Sequence, residues 1–465
     1  MIWKNSRKHM HNYKEFFKDK FKDKKITVMG LGLLGRGVGD AMFLAEYGAK
    51  LIVTDLKTKE QLKESLNKLK KFKNIKYVLG KHKLENFRNC DFVLKAAGVP
   101  LDSIYIKEAK KHNIPIEMSA SLFCKIASIP IIAVTGTRGK SSVTHLIAHI
   151  LKFAGKKIIL GGNVRGVSNL QLLKQVKNKE VAVLELDSWQ LQGFGDSKIS
   201  PNISVFTTFF EDHINYYKGS VNKYFRDKAN IFKYQKKGDV LIIGRQVLPF
   251  IKKWQKENKE KIENKIITAK ERLPKDLKFN LPGLHNEYNA ELAIEVARLL
   301  NISDVKIKKA LATFSPLSGR LEFLRSINGI KIYNDNSSTT PEATIAALRA
   351  LGNKKKRNIV LIIGGDKKFL DMSKLLLEIP KFCSKVVLFK EKGTDLIRAK
   401  VFEFKKRGVE VYEEEGLSST VKRAFSIAKK GETILYSPAF SSFGKYFSNE
   451  YDRGDKFMKI VKSLK

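Results

Sequence analysis

The stretch Ile131–Thr144, IIAVTGTRGKSSVT, constrains the fold more than any other part of the chain. An apolar run stops at a glycine turn, and a helix-compatible segment starts at once. That is the pattern of a buried strand, a phosphate-binding loop and a helix. Gly136 and Gly139 free backbone N–H groups to face a phosphate, and the helix N-terminus adds a favourable dipole. Lys140 is placed to reach terminal phosphates, and the Ser141 hydroxyl to ligate Mg²⁺. The common G-x-x-x-x-G-K spacing is not met, because its first glycine falls on Val134. The loop is a tighter T-G-T-x-G-K-S form. The competing reading, a turn that only packs a helix on a strand, leaves the Gly-Lys-Ser triplet without a purpose.

A chain of 465 residues exceeds one core and implies several domains. From Ile26 onward strands alternate with helices, so the expected class is α/β with mostly parallel sheets. ITVMG, KLIVTD, YVLG, DFVLKAAG and PIEM form a first block ending near Met118. IIAVT, KKIILGGN, VAVLELD, ISVFTTF, DVLIIG and IITA form a second. IKIYND, NIVLIIGG, KVVLFK, VEVYEE and ETILYSPAF form a third from about Leu317.

Composition excludes more than it assigns. No apolar run is long enough to span a bilayer. MIWKNSRKHMHNYKEFF has no secretory h-region, and Cys90, Cys124 and Cys383 form neither a metal-spaced pair nor a disulfide framework. A cytoplasmic protein is expected. In the basic segment 1–25, Trp3, Met10, Tyr13 and Phe17 recur at helical spacing. This fits a membrane-surface helix or, as expected here, a short helix packed on the first domain. The net charge of +42 raises the question of nucleic acid. The lysines, however, are spread along the whole chain, and no aromatic-interleaved signature accompanies them. A solvated lysine-rich surface that favours anionic small substrates is the expectation, with no nucleic-acid partner and no membrane insertion.

Gly30-Leu-Gly32-Leu-Leu-Gly35, with Asp55 closing the next strand, is a dinucleotide fingerprint. Two readings fit it: a nicotinamide-dependent oxidoreductase, or a site for another diphosphate-and-ribose ligand such as UDP. The second, ATP-type loop counts against a simple dehydrogenase. Gly162-Asn163 is a polar turn after a strand. Glu185 ends an apolar strand, an expected place for a Mg²⁺ ligand beside ATP. Asp187 either adds negative charge near that metal or caps a helix. Asp212-His213 follows a strand, a setting that favours ligation by the histidine over a merely structural role.

In this order, these stretches resemble the Mur ligases and their folylpolyglutamate synthetase relatives, and among them the glutamate-adding branch. The resemblance runs from about Lys25 to the end of the chain. It implies a UDP-binding Rossmann-like domain over 1–118, a central ATP-binding P-loop domain over 119–316 and a Rossmann-like amino-acid-binding domain over 317–465. It implies an ATP-dependent amide ligase, monomeric, that adds glutamate (D-Glu expected) to UDP-N-acetylmuramoyl-L-alanine through an acyl phosphate in peptidoglycan synthesis. Gly32, Leu33, Leu34, Asp55, Asn163, Ser188 and Gln190 then face the UDP-sugar. Gly136, Thr137, Gly139, Lys140, Ser141, Ser142, Asn286, Arg320 and Asp335 surround ATP. Two Mg²⁺ ions are implied, with Ser141, Glu185, His213 and Lys228 as ligands. Lys228 matches a lysine that the family N-carboxylates, and Lys140, Glu185, His213 and Lys228 are the implied catalytic set.

Thr339, Lys368 and Ser442 match the residues that receive glutamate. They belong to NDNSSTT (334–340), GGDKK (364–368) and SPAFSSF (437–443), the last followed by Asp452-Arg453-Gly454. Three departures from the family pattern stand out. Asp187 and Trp189 replace residues of E-L-S-S-F-Q-L, Gly319-Arg320 replaces a His-Arg pair, and Ser337 stands where the D-glutamate pattern N-D-S-K-A-T-N has lysine. The last opens an alternative, the related ligase class that adds L-glutamate.

Overall fold

Alternating strands and helices assemble into three sheets. The computed structural model describes residues 13–465, apart from Leu34, Leu101, Ile214, Asn215, Glu260, Lys275, Phe369 and Phe443. Trp3, Met10 and the candidate residue Leu34 therefore lie outside the described residues.

The first sheet contains β1 (Lys25–Met29), β2 (Lys50–Asp55), β3 (Ile75–Leu79), β4 (Phe92–Lys95) and β5 (Ile116–Glu117), in the order β3-β2-β1-β4-β5. All its pairings are parallel. The second contains β6 (Ile131–Thr135), β7 (Ile158–Gly162), β8 (Val181–Glu185), β9 (Ile203–Phe206), β10 (Val240–Ile243) and β11 (Lys265–Thr268), in the order β11-β10-β9-β6-β8-β7. It too is wholly parallel. Its inner strands are continuous apolar runs because helices cover both faces. In each sheet the glycine loop follows the strand where the order reverses, β1 or β6. Such a switch point is where open α/β sheets receive ligands.

The third sheet contains β12 (Glu322–Ile327), β13 (Ile330–Asn334), β14 (Ile359–Ile363), β15 (Cys383–Phe389), β16 (Glu410–Glu414) and β17 (Thr433–Tyr436), in the order β12-β13-β17-β14-β15-β16. Only β12 runs antiparallel, as a hairpin with β13. Asn328 and Gly329 turn it, both at positive φ (50° and 76°). Asn-Gly is the usual solution for such a turn, so the signal for β12 lay in the sequence unread.

By contacts the chain divides into two compact units, Met1–Glu271 with Asn289–Leu311, and Arg272–Tyr288 with Ala312–Lys465. The first unit holds the first two sheets, which share a large continuous core that also takes in the N-terminal helix Tyr13–Phe21, and a smaller cluster around Phe87 and Ile106 packs on the first sheet. Phe17 is 1% exposed, and its ring lies 5.3 Å from Phe43 and 5.2 Å from Tyr47, both edge-on. This helix packs on the first domain. The second unit has a core on each face of the third sheet.

Phe17→Ala should lower the unfolding free energy of the first unit by about 3–5 kcal/mol, the usual cost of emptying a buried aromatic site. Urea denaturation followed by tryptophan fluorescence measures it. An unchanged midpoint would mean that the helix is not part of the core.

Candidate active site

The strand β6 delivers the chain to Gly136 (φ 147°) and Gly139 (φ 86°), and the helix Lys140–Phe153 starts at once. Both glycines are sterically required. A Cβ at 136 would overlap Thr207 Oγ1, and one at 139 would overlap Asn289 Oδ1. The loop is braced from the end of β9: Thr137 N–H donates to Thr208 O (2.7 Å), and Arg138 N–H donates to Thr208 Oγ1 (2.9 Å). The Thr137 hydroxyl donates to Phe210 O (3.1 Å) and accepts from Phe210 N–H (3.0 Å). Both donors of Thr137 are thus committed to shaping the loop. Lys140 Nζ folds back on the loop, donating to Gly136 O (3.1 Å) and Thr137 O (3.2 Å). Ser141 and Ser142 are half-buried at the first turn of the helix.

Lys228 comes to the same carbonyl from the other side. It lies near the end of the helix Val221–Ala229, which is capped by Ser220. Its Nζ donates to Gly136 O (2.8 Å) and Thr135 Oγ1 (3.4 Å) and sits 4.9 Å over the Tyr224 ring. The side chain is 1% exposed. Burial first, and the nearby Lys140 cation second, hold its amine well below the usual lysine range. Asp212 is buried and pairs with Arg138 (Nη2 to Oδ2, 3.1 Å). Its Oδ1 accepts from His213 N–H (2.8 Å), which fixes His213 at φ 55°. The imidazole lies among aromatic rings, 5.1 Å from Trp189 and 5.9 Å from Tyr224. Arg138, Tyr224 and Trp189 are members of this cluster that the sequence reading left out.

Glu185 is buried at the end of β8, in register with Val134 on one side and Gly162 on the other. Its carbonyl accepts from Asn163 N–H (2.7 Å). Asp187 and Gln190 form a reciprocal capping box at the start of the helix Ser188–Asp196. Of the two readings of Asp187, the helix cap is what the structure displays. The Gln190 amide, expected on the substrate side, is engaged in that cap. Ser188 is buried beside it.

In the first sheet Gly32 and Gly35 adopt positive φ, and Leu33 is 56% exposed at the turn. Asp55 does not hold out its carboxylate. Oδ2 accepts from Leu31 N–H (2.8 Å) and Gly32 N–H (3.0 Å), and Oδ1 from Lys57 N–H (2.9 Å). It shapes the glycine loop, whereas a dinucleotide fold needs a free acid for the ribose. Arg36, which opens the next helix, donates from Nη1 to Asn163 Oδ1 (2.6 Å). That contact ties the first glycine loop to the Asn163 turn.

In the second unit, Asn286 Nδ2 donates to Pro282 O (2.7 Å). Asp335 is buried and accepts from Ser338 Oγ (2.5 Å), Ser437 Oγ (2.8 Å) and Leu321 N–H (3.1 Å), next to the Arg320 charge. Burial nevertheless pushes its pKa up to about 6. Loops 334–340, 364–368 and 437–442 follow β13, β14 and β17, which are neighbours in the sheet. The structure brings Lys368 Nζ to Thr339 Oγ1 (3.4 Å), with Ser442 buried on the third loop.

Comparison with known proteins decides the family. The "Mur ligase MurD-like, N-terminal domain" matches residues 24–117, the "Mur ligase middle domain" 134–273 and the "Mur ligase, glutamate ligase domain" 319–440. The chain belongs to the Mur ligase family. Among its relatives, UDP-N-acetylmuramoylalanine–D-glutamate ligase of Borreliella burgdorferi (strain ZS7) is 36% identical, covering 96% of this chain and 99% of the relative. The enzyme of the same name from Roseiflexus sp. (strain RS-1) is 31% identical over 95% of this chain and 99% of its own. The Mur ligase fold is also seen in the alanine ligase MurC of Thermotoga maritima (TM-score 0.60, 21% identity, 95% of this chain and all of that one). MurF of T. maritima, solved with ADP, gives a TM-score of 0.56 at 15% identity, over 96% of this chain and 97% of that one.

The family implies Mg²⁺. Among the described residues no three carboxylate, imidazole or thiol groups converge as a ready-made cage. The loop hydroxyl of Ser141 and the strand-end carboxylate of Glu185 are hard oxygen donors of the kind Mg²⁺ takes while completing its shell with phosphate and water; the His213 imidazole is not a typical donor for that ion.

Because Asp335 binds its proton more tightly folded than unfolded, its contribution to stability is complete below about pH 4 and is lost as pH rises through about 6. The stability difference between wild type and Asp335→Asn should therefore fall by on the order of 2–3 kcal/mol between pH 4 and 7. Urea unfolding at several pH values reads it, and a pH-independent difference would contradict it.

Proposed function

We propose that this chain is the ATP-dependent ligase that joins D-glutamate to UDP-N-acetylmuramoyl-L-alanine, a step in peptidoglycan synthesis. The convergence of Lys140 and a deprotonation-prone Lys228 on the phosphate loop carries this reading. Identity of 36% to ligases of that name supports it. The alanyl carboxylate attacks the γ-phosphorus of ATP, ADP leaves, and an acyl phosphate forms. The glutamate amine then attacks the activated carbonyl and loses a proton. The tetrahedral intermediate expels phosphate and leaves the amide.

Lys140 swings from the Gly136 carbonyl to the phosphoryl group and neutralises its growing charge. Lys228, neutral in its dry site, adds to CO₂. An N–C bond forms, one N–H proton leaves to solvent, and the neutral amine becomes a carboxylate-like anion. Two Mg²⁺ ions, held by Ser141, Glu185, His213 and that carbamate, supply charge neutralisation on the reacting oxygens when bound. We assign residues 1–118 to the UDP moiety through Gly32, Leu33, Leu34 and Asp55, with Asp55 acting through the loop that it shapes, and Asn163 and Ser188 of the second block to the same substrate. Residues 119–316 take ATP at the phosphate loop. Residues 317–465 take glutamate at Thr339, Lys368 and Ser442. We place the enzyme in the cytoplasm, as a monomer.

One observation favours the L-glutamate alternative, the serine at 337. Lys368 beside Thr339 offsets it, because it supplies a cation on the neighbouring loop. A dicarboxylate needs such charged partners when it leaves water.

The test is phosphate release from ATP with UDP-MurNAc-L-Ala and either glutamate enantiomer. Turnover should require all three substrates and prefer D-Glu. Lys140→Ala should lose about 10²-fold or more. Lys228→Ala should be nearly inactive and regain activity with added short carboxylates. Preference for L-Glu would assign the other ligase class, and near-normal turnover in Lys140→Ala would remove the loop from the chemistry.

A further inference from the structure

The helix Glu450–Ser463 buries a cation for which the mechanism above has no role. Arg453 is 0% exposed, and all three of its guanidinium nitrogens donate to loops. Nε bonds Asn336 Oδ1 (2.7 Å), and Nη2 bonds Asn336 O (2.9 Å). Nη1 bonds Phe440 O and Ser441 O, each at 3.3 Å. The third loop reaches the same point. Asp366 N–H donates to Ser441 O (3.1 Å), and a Cβ on Gly365 would stand 3.4 Å from Nη1. Asn336 is held from behind as well, since its Nδ2 donates to Glu450 O (2.6 Å). A Cβ on Gly454 would press to 2.9 Å of that nitrogen.

One guanidinium therefore sits where the loops after β13, β14 and β17 meet. Its acceptors are all neutral oxygens, and among the described residues no carboxylate lies within ion-pair distance of it. Burying an unpaired charge is a poor way to gain stability, since desolvation offsets most of what the contacts return. The planar fork is a good way to fix directions, because it holds several acceptors at set angles. The three loops carry the three candidate amino-acid contacts. Thr339 lies on the turn that begins at Asn336, Lys368 follows Asp366, and Ser442 follows Ser441.

We propose that Arg453 is a positioning residue for the incoming amino acid, its buried guanidinium locking the three loops so that Thr339, Lys368 and Ser442 address one dicarboxylate. The assignment of glutamate to these loops rests on the functional reading above; the locking does not. Lysine at this position keeps the charge and loses the fork.

Arg453→Lys should raise the KM for D-glutamate by about tenfold or more, leaving kcat and the KM values for ATP and UDP-MurNAc-L-Ala within about threefold. Asn336→Ala, which keeps the arginine and removes its side-chain acceptor, should move the same constant in the same direction. Hydrogen–deuterium exchange on the full chain gives a readout independent of turnover. Segments 334–340, 364–368 and 437–442 should lose protection together in Arg453→Lys, while β6 and its helix stay unchanged. Unchanged exchange in any of the three segments, or equal rises in all three KM values, would overturn the proposal. If the wild type turns over no glutamate while the three segments still loosen together, the substrate reading fails and the lock stands.

Discussion

Two lysine ammonium groups point at one carbonyl oxygen, that of Gly136. Nearly everything in the central sheet can be understood from that crowding. One carbonyl cannot neutralise two cations in a site with little water, so the more buried amine gives up its charge most readily. That amine belongs to Lys228, fixed on a helix with its Nζ over the Tyr224 ring. Lys140 is half-exposed at the helix start and donates to the Gly136 and Thr137 carbonyls. The loop thus brings two lysines of unequal burial to one carbonyl, the drier of them with its pKa lowered.

The same site depends on backbone geometry that side chains cannot supply. Gly136 and Gly139 are pressed against Thr207 and Asn289, so the loop has no room for a methyl group. Thr137, Thr208 and Phe210 fix its path by hydrogen bonds from the adjacent strand end. In the first sheet Asp55 does the corresponding work, holding the amides at 31 and 32. An acid engaged in this way, and 5% exposed, is turned to its own loop and not to solvent. The fingerprint Gly30–Gly35 therefore describes a diphosphate-type turn without committing the chain to a dinucleotide.

The alternation of strands and helices was legible because parallel strands buried on both faces are unbroken apolar runs with glycine or polar turns between them. Lys140 was legible because it adjoins its loop in sequence. Lys228 was not, since a chain with 89 basic residues gives no local reason to choose one lysine; only family resemblance selected it. The Asp187–Gln190 cap was readable from D-x-x-Q before a helix, and it changes what Gln190 is free to do. Arg36 with Asn163 and Arg138 with Asp212 join residues distant in sequence, and no periodicity predicts such pairs. Arg453 was visible as part of a motif. Its function became visible only when three loops were seen to meet at its guanidinium.

The overall charge of +42 describes the surface and says little about the site. What matters is what the few buried cations touch: among the described residues Lys385 pairs with Glu432, and Lys95 donates to the Val99 carbonyl. The part-buried Arg138 is balanced by Asp212, which anchors the stretch that carries His213. Lys228 and Arg453 are buried against neutral oxygens, one poised to change its charge and the other unable to. A lysine suits the first position because its pKa moves readily when it is dried, and an arginine suits the second because its charge and planarity persist there. Exchanging the two residue types would leave the net charge unchanged. It would also remove both the convertible amine beside the phosphate loop and the rigid fork beneath the third sheet's loops.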